Sequence, residues 1–108
     1  MSGRLPAELL VSAMLRRAND AGGMGMVLAR GDKQAGGILV VIASSQEPER
    51  LVERGIGPTG EITLIDSTPA GDVTDYWRRR RQRDPDLWVV ELTIPNAERL
   101  VAETIATN

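Results

Sequence analysis

The sequence predicts an α+β fold: one small domain over residues 1–108, with a mostly antiparallel sheet of about five strands packed against three helices. Three observations carry that expectation. A chain of 108 residues fits one core and not two. Its segments switch between helical and alternating periodicity in the order helix, four strands, helix, strand, helix. Hydrophobic residues make up 42% and charged residues 26%, the balance of a chain that buries a core. With no Phe, and only Tyr76, Trp77 and Trp88 as aromatics, that core is aliphatic.

The first helix is expected over about residues 6–20. Pro6 stands near its start with Glu8 in the first turn, where a carboxylate offsets the helix dipole. Leu9, Leu10, Ala13, Met14 and Arg17 recur at helical spacing, and Asn19-Asp-Ala-Gly-Gly closes the segment. Met24 to Arg30 reads as a strand. Gly31-Asp32-Lys33 makes a turn, and Gly37 to Ala43, apolar on both faces, suits a central strand. Arg50–Gly55 and Glu61–Asp66 alternate on either side of Gly-Pro-Thr-Gly, a hairpin. Thr68-Pro69 offers a cap and first-turn proline for a second helix that runs to about Arg83 and stops before Asp84-Pro85. In Leu87–Ile94, Trp88, Val90, Leu92 and Ile94 line one face while Leu87 and Val89 begin the other. Ala97–Ile105 closes the chain as an amphipathic helix with Leu100, Val101 and Ile105 apolar. The early strands are expected to form an antiparallel meander, with the last strand returning to pair beside it.

Composition narrows the chemistry. Without cysteine there is no disulfide framework and no thiol nucleophile, and without histidine the commonest general base and zinc ligand are missing. Ser-His-Asp and Cys-His catalysis and the standard zinc sites are therefore excluded, and no catalytic residue, cofactor or metal is expected. The N-terminus lacks a basic region followed by a long apolar stretch. The longest apolar run, Ile38 to Ala43, falls far short of the ~20 residues a membrane helix needs. A cytoplasmic protein with no membrane partner is expected. The net charge of −2 does not draw the molecule as a whole to nucleic acid.

Several short motifs carry a plainer reading beside a sharper one. Gly55-Ile-Gly-Pro-Thr-Gly60 spells GxGxxG, but a dinucleotide site needs a helix after it, and Glu61-Ile-Thr-Leu-Ile alternates like a strand. The glycines are read as a hairpin turn. Arg30-Gly31-Asp32 spells an adhesion tripeptide, yet nothing in the chain points outside the cell, so it is read as a strand ending in a turn. Asp72 with Asp75 and Asp84 with Asp86 are the tight carboxylate pairs. The first suits a helix N-terminus, with Asp75 placed four residues before Arg79, and the second suits a helix stop.

The most distinctive segment is Tyr76-Trp-Arg-Arg-Arg-Arg-Gln-Arg-Asp-Pro-Asp-Leu-Trp88, with five arginines in Arg78–Arg83. Such a run could bind phosphates while a ring stacks on a base, or anchor a protein partner. At 100° per residue, four consecutive arginines point all round a helix, which favours a solvated face over a collected patch. Val73, Tyr76, Trp77 and Arg80 share one inward stripe, with the Arg80 stem laid along the rings.

Three stretches resemble domain-of-unknown-function family 1491 of the alphaproteobacteria: Leu15-Arg-Arg-Ala18 with Gly22-Gly23, Ala29 through Val40, and Tyr76 through Leu92. The likeness spans most of the chain and implies a bacterial cytoplasmic protein. The family has no assigned activity, so no functional residue carries over. The expected function is a small non-enzymatic binding or assembly domain that self-associates, since strands leave exposed edges that dimerisation covers. Its expected contact surface is Trp77, Arg78, Arg79 and Arg81, joined by Trp88 if that face is not core. The alternatives are nucleic-acid binding through Arg78–Arg83, and an Asp/Glu-based enzyme that would gather Asp32 with acids from elsewhere in the chain.

Overall fold

Two runs of the chain are apolar on both faces, and they lie side by side at the centre of the sheet. The computed structural model describes residues 5–107. In chain order the elements are α1 (Ala7–Asp20), β1 (Met24–Ala29), β2 (Ile38–Ile42), β3 (Arg50–Ile56), β4 (Ile62–Asp66), α2 (Val73–Arg83), β5 (Trp88–Thr93) and α3 (Ala97–Ile105). The sheet order is β1-β5-β2-β3-β4. β5 is parallel to β2, in a register running from Ile38 opposite Trp88 to Ile42 opposite Leu92, and the other three pairings are antiparallel.

This order corrects the expected meander, which holds only for β2–β3–β4. β5 does pair with early strands, but it enters between β1 and β2 and does not add to the outside of a continuous meander. The reason is burial. A strand apolar on both faces needs cover above and below, which the middle of the sheet provides. β2 and β5 meet that demand with Leu39, Val40 and Val41, and with Trp88, Val89, Val90 and Leu92, all buried. β1, with a glycine and two methionines in its first three positions, takes the edge.

The helices lie on opposite faces. Val40, Ile42, Val52, Trp88, Val90 and Leu92 pack against α1 and α3, while Leu39, Val41, Leu51, Leu87 and Val89 lie beneath α2 with Val73, Tyr76 and Trp77. The inner stripe of α1 is Ala7, Val11, Met14 and Ala18. That is rotated from the expected one, and Leu9 is left 53% exposed. Alanine at both ends of the stripe lets the helix axis approach the sheet, so Leu10 and Leu15 pack at its flanks. α2 begins later than expected, at Val73, with the Asp72 carboxylate accepting from the Asp75 amide at 2.8 Å. Thr68 is not its cap because its hydroxyl oxygen already accepts from the Leu51 amide at 2.9 Å. Gly57–Gly60 is the hairpin turn between β3 and β4, with the Gly57 amide on the Glu61 carbonyl and Gly60 at φ +86°.

Inserting β5 between β1 and β2 leaves residues 30–37 to bridge the two strands across its start. The Asp32 amide donates to the Asp86 carbonyl at 3.0 Å and the Trp88 amide to the Gly37 carbonyl at 2.8 Å. The Trp88 Nε1–H donates to the Asp32 carbonyl at 2.7 Å. The same loop caps α1, since the Ala7 and Glu8 amides donate to the Gln34 and Lys33 carbonyls. Gly31 and Gly36 are required by closeness. A Cβ on either would stand 2.1 or 2.2 Å from the Asp86 carbonyl oxygen. Gly31→Ala is therefore expected to cost at least about 2 kcal/mol, lowering the thermal midpoint by roughly 10 °C in calorimetry, because backbone and not a movable side chain must give way.

Candidate functional site

α2 carries the five arginines, and the fold divides them into two groups. Arg80 and Arg81 turn toward the protein. Arg78, Arg79 and Arg83 stay exposed.

Arg81 is a clamp. Its Nε donates to the Leu87 carbonyl at 2.9 Å, and its Nη2 donates to the Arg30 carbonyl at 2.7 Å and the Pro85 carbonyl at 2.9 Å. One planar guanidinium thus ties the end of β1 to the turn that launches β5, a geometry an ammonium could not reproduce. Its place in the expected contact surface is taken by this internal role.

Arg80 forms a two-pronged pair with Glu53 of β3, at 2.7 Å to Oε2 and 3.0 Å to Oε1. The Ser67 hydroxyl donates to the same carboxylate, and the guanidinium lies 5.9 Å from the Tyr76 ring centre. Partial burial pushes the Glu53 carboxyl up. The hydrogen bonds from Arg80 and Ser67, with the charge of Arg80, outweigh it and hold the group below the usual carboxylate range. Sequence reasoning missed Glu53. Its signal was a charge at an inward position, two residues from buried Leu51 on the same strand face.

Trp88 does not belong to an exposed surface. It is 1% exposed, within the core under α1, and its outer side is covered by the Arg30 guanidinium 5.3 Å from the ring centre. The face on which it was expected to contribute is core.

What remains is Trp77, half-buried against the sheet, with the Arg78 guanidinium 5.7 Å over its ring, beside Arg79 and Arg83. Among the described residues no ion pair engages Arg78, Arg79 or Arg83, and the expected Asp75–Arg79 pair does not form. With Arg80 and Arg81 turned inward, these three occupy an arc of about 140° on the outer side of α2. The all-round distribution expected from the sequence is thereby narrowed to one face. Aspartates bracket it, Asp72 and Asp75 at the start and Asp84 and Asp86 past the end.

Other polar groups are committed elsewhere. The Asp32 carboxylate accepts from the Gln34 and Ala35 amides at 3.0 and 2.8 Å, and Asp84 accepts from the Asp86 amide at 3.2 Å. An open cleft beyond the carboxyl ends of β2 and β5 holds Arg50, but Arg50 is paired with Glu98 and Asp66. Among the described residues no three acidic side chains converge on a point where a metal could sit.

Because the folded-state Glu53 pKa is depressed, its stabilisation is fully present above the ordinary glutamate value of about 4.3 and is lost as pH falls through the lower folded value. In urea titrations, the stability advantage of the wild type over Glu53→Gln is expected to be about 1–2 kcal/mol at pH 7 and to shrink below pH of about 4.

The family model described as "Protein of unknown function (DUF1491)" matches residues 5–102. No curated protein matches the chain. A crystal structure of a DUF1491 family protein from Caulobacter crescentus CB15 is 28% identical and superposes with a TM-score of 0.78, over 90% of this chain and 94% of that one. An NMR structure of a family member from the same strain is 29% identical with a TM-score of 0.74, covering 95% and 97%. The solution structure of protein Atu0922 from A. tumefaciens is 27% identical with a TM-score of 0.75 and covers 97% of each chain. With the family model matching nearly the whole of its length, the chain belongs to the DUF1491 family.

Proposed function

We propose that this chain is a bacterial cytoplasmic binding domain that docks an acidic patch on a protein partner through the outer face of α2. One observation carries the reading: Arg78, Arg79 and Arg83 stand exposed on one arc without an ion pair among the described residues, beside a Trp77 that the sheet already holds in place. Arginine with tryptophan is the composition of interface hot spots, and a pre-held ring loses little side-chain freedom on binding. Both relatives' source organisms are bacteria, which supports the bacterial assignment.

The bracketing aspartates favour a discrete partner. A nucleic-acid backbone running along the helix would meet Asp75 at one end and Asp84 and Asp86 at the other, and like charges repel it there. An acidic patch of two or three carboxylates fits inside that frame. An enzyme built on Asp32 is the weaker reading, because that carboxylate is engaged in holding its own loop. The reading includes self-association, which a sheet with two open edges invites.

Binding of a labelled glutamate-rich peptide, single-stranded RNA and duplex DNA is measured by fluorescence polarisation at several salt concentrations. The wild type is compared with Arg78→Gln/Arg79→Gln/Arg83→Gln. The peptide is expected to bind the wild type best and to lose at least about tenfold affinity in the variant at unchanged thermal midpoint, since surface changes leave stability within about 0.5 kcal/mol. Peptide binding that survives in the variant, or none at low salt, contradicts the reading. RNA binding that is tighter and falls steeply with salt replaces it with the nucleic-acid alternative.

A further inference from the structure

β1 is the edge of the sheet nearest the core helices, and its free side is unusually undefended. Edge strands normally carry charge or proline along their length to prevent pairing with another chain. Met24-Gly-Met-Val-Leu-Ala carries neither. Met24 is 68% exposed and Met26 51%. Gly25 and Val27 pair with Leu92 and Val90, which face α1 and α3, so Met24 and Met26 turn to the opposite face of the sheet, on the side of α2. A β-bulge at Leu28 interrupts the ladder, which leaves Met24–Val27 as the regular part of the free edge.

We infer that a second copy of this chain pairs with β1 along this edge, antiparallel about a two-fold axis at Gly25. This rests on the self-association part of the proposed function and is independent of the α2 surface. An antiparallel two-fold pair must match residues of the same sheet face, so the sum of paired residue numbers is even. Centring on Gly25 sets Met24 of each copy opposite Met26 of the other and stays clear of the bulge. Four methionines then close over one another on one face, soft side chains suited to an interface made of two identical surfaces. The strand's ends are also of opposite charge. Exposed Asp20 closes α1 just before β1, and Arg30, which also contacts Glu8 and the Trp88 ring, follows its last residue, so antiparallel pairing brings the acidic end of each strand toward the basic end of the other.

The far edge of the sheet is defended. β4 is flanked by Glu61 and ends in Asp66, charges of the kind that discourage pairing with a further strand. Three paired residues on each strand and a methionine cluster bury a small interface, below about 1,200 Å² in total, so the dimer is reversible and depends on concentration.

The test is sedimentation velocity on the full chain from about 5 to 500 µM, a range that brackets the weak dimer such an area sustains. The wild type is expected to pass from monomer to dimer. Met24→Lys/Met26→Lys is expected to weaken association at least tenfold, with an unchanged melting curve because both side chains are exposed. Because the chain has no cysteine, introduced ones report cleanly. A mixture of Met24→Cys and Met26→Cys chains is expected to form more oxidised dimer than either chain alone. A wild type that stays monomeric at every concentration overturns the inference together with self-association. A dimer that survives the double lysine variant overturns the β1 edge but leaves self-association standing. Cross-linking no better in the mixture than in either chain alone overturns the register.

Discussion

The start of β5 is held by a set of hydrogen bonds on which the remaining architecture depends. β5 comes late in the chain yet must occupy a slot between two strands that a single loop already joins. Asp32 and Gly37 of that loop bond the backbone of Asp86 and Trp88 directly. Trp88 returns a bond from its indole to Asp32, and Arg81 ties Arg30 to Pro85 and Leu87 from the other side. The loop also supplies the carbonyls that cap α1. All three layers therefore meet at one place: α1 through its first amides, the sheet through β1, β2 and β5, and α2 through one arginine. This explains why glycine is required at both positions 31 and 36, where the backbone of the loop presses on Asp86.

The arginine run owes its meaning to the same place. Two of its five members are consumed by the fold, Arg81 at the entry of β5 and Arg80 on the half-buried Glu53. Neither is available to a ligand without loosening the structure. The other three are left on the solvent side of a helix whose inward face holds Val73, Tyr76 and Trp77 against the sheet. A run that looks uniform in sequence thus contains two structural arginines and three exposed ones, and the aspartates at both ends bound the exposed stretch.

Much of this was legible in the residues and some was not. Helices and strands were placed within a few residues because apolar periodicity and turn residues are local signals, and the two faces of β5 were assigned correctly from alternation alone. Strand order was not legible. Pairing β1 with β2 and inserting β5 between them both satisfy the same local pattern, and only the double-sided burial of β2 and β5 separates them. The inward face of α1 was misread because Ala7 and Ala18 carry little hydrophobic signal, yet they are the residues that allow close approach. At Thr68, a hydroxyl suited to capping was bound to the neighbouring strand instead. The roles of Arg80 and Arg81 depended on partners far along the chain, Glu53 and Arg30, which no spacing rule connects.

Native-state hydrogen exchange tests the central claim most directly. If the loop and the entry of β5 form one cooperative unit with the core, the amides of Asp32 and Trp88 exchange only through the same global opening as Val40 and Val90. Their exchange free energies then agree within about 1 kcal/mol and respond equally to denaturant. Asp32 and Trp88 exchanging through a local opening several kcal/mol cheaper, with the central strands still protected, would show that the sheet holds β5 without the loop and would contradict the account.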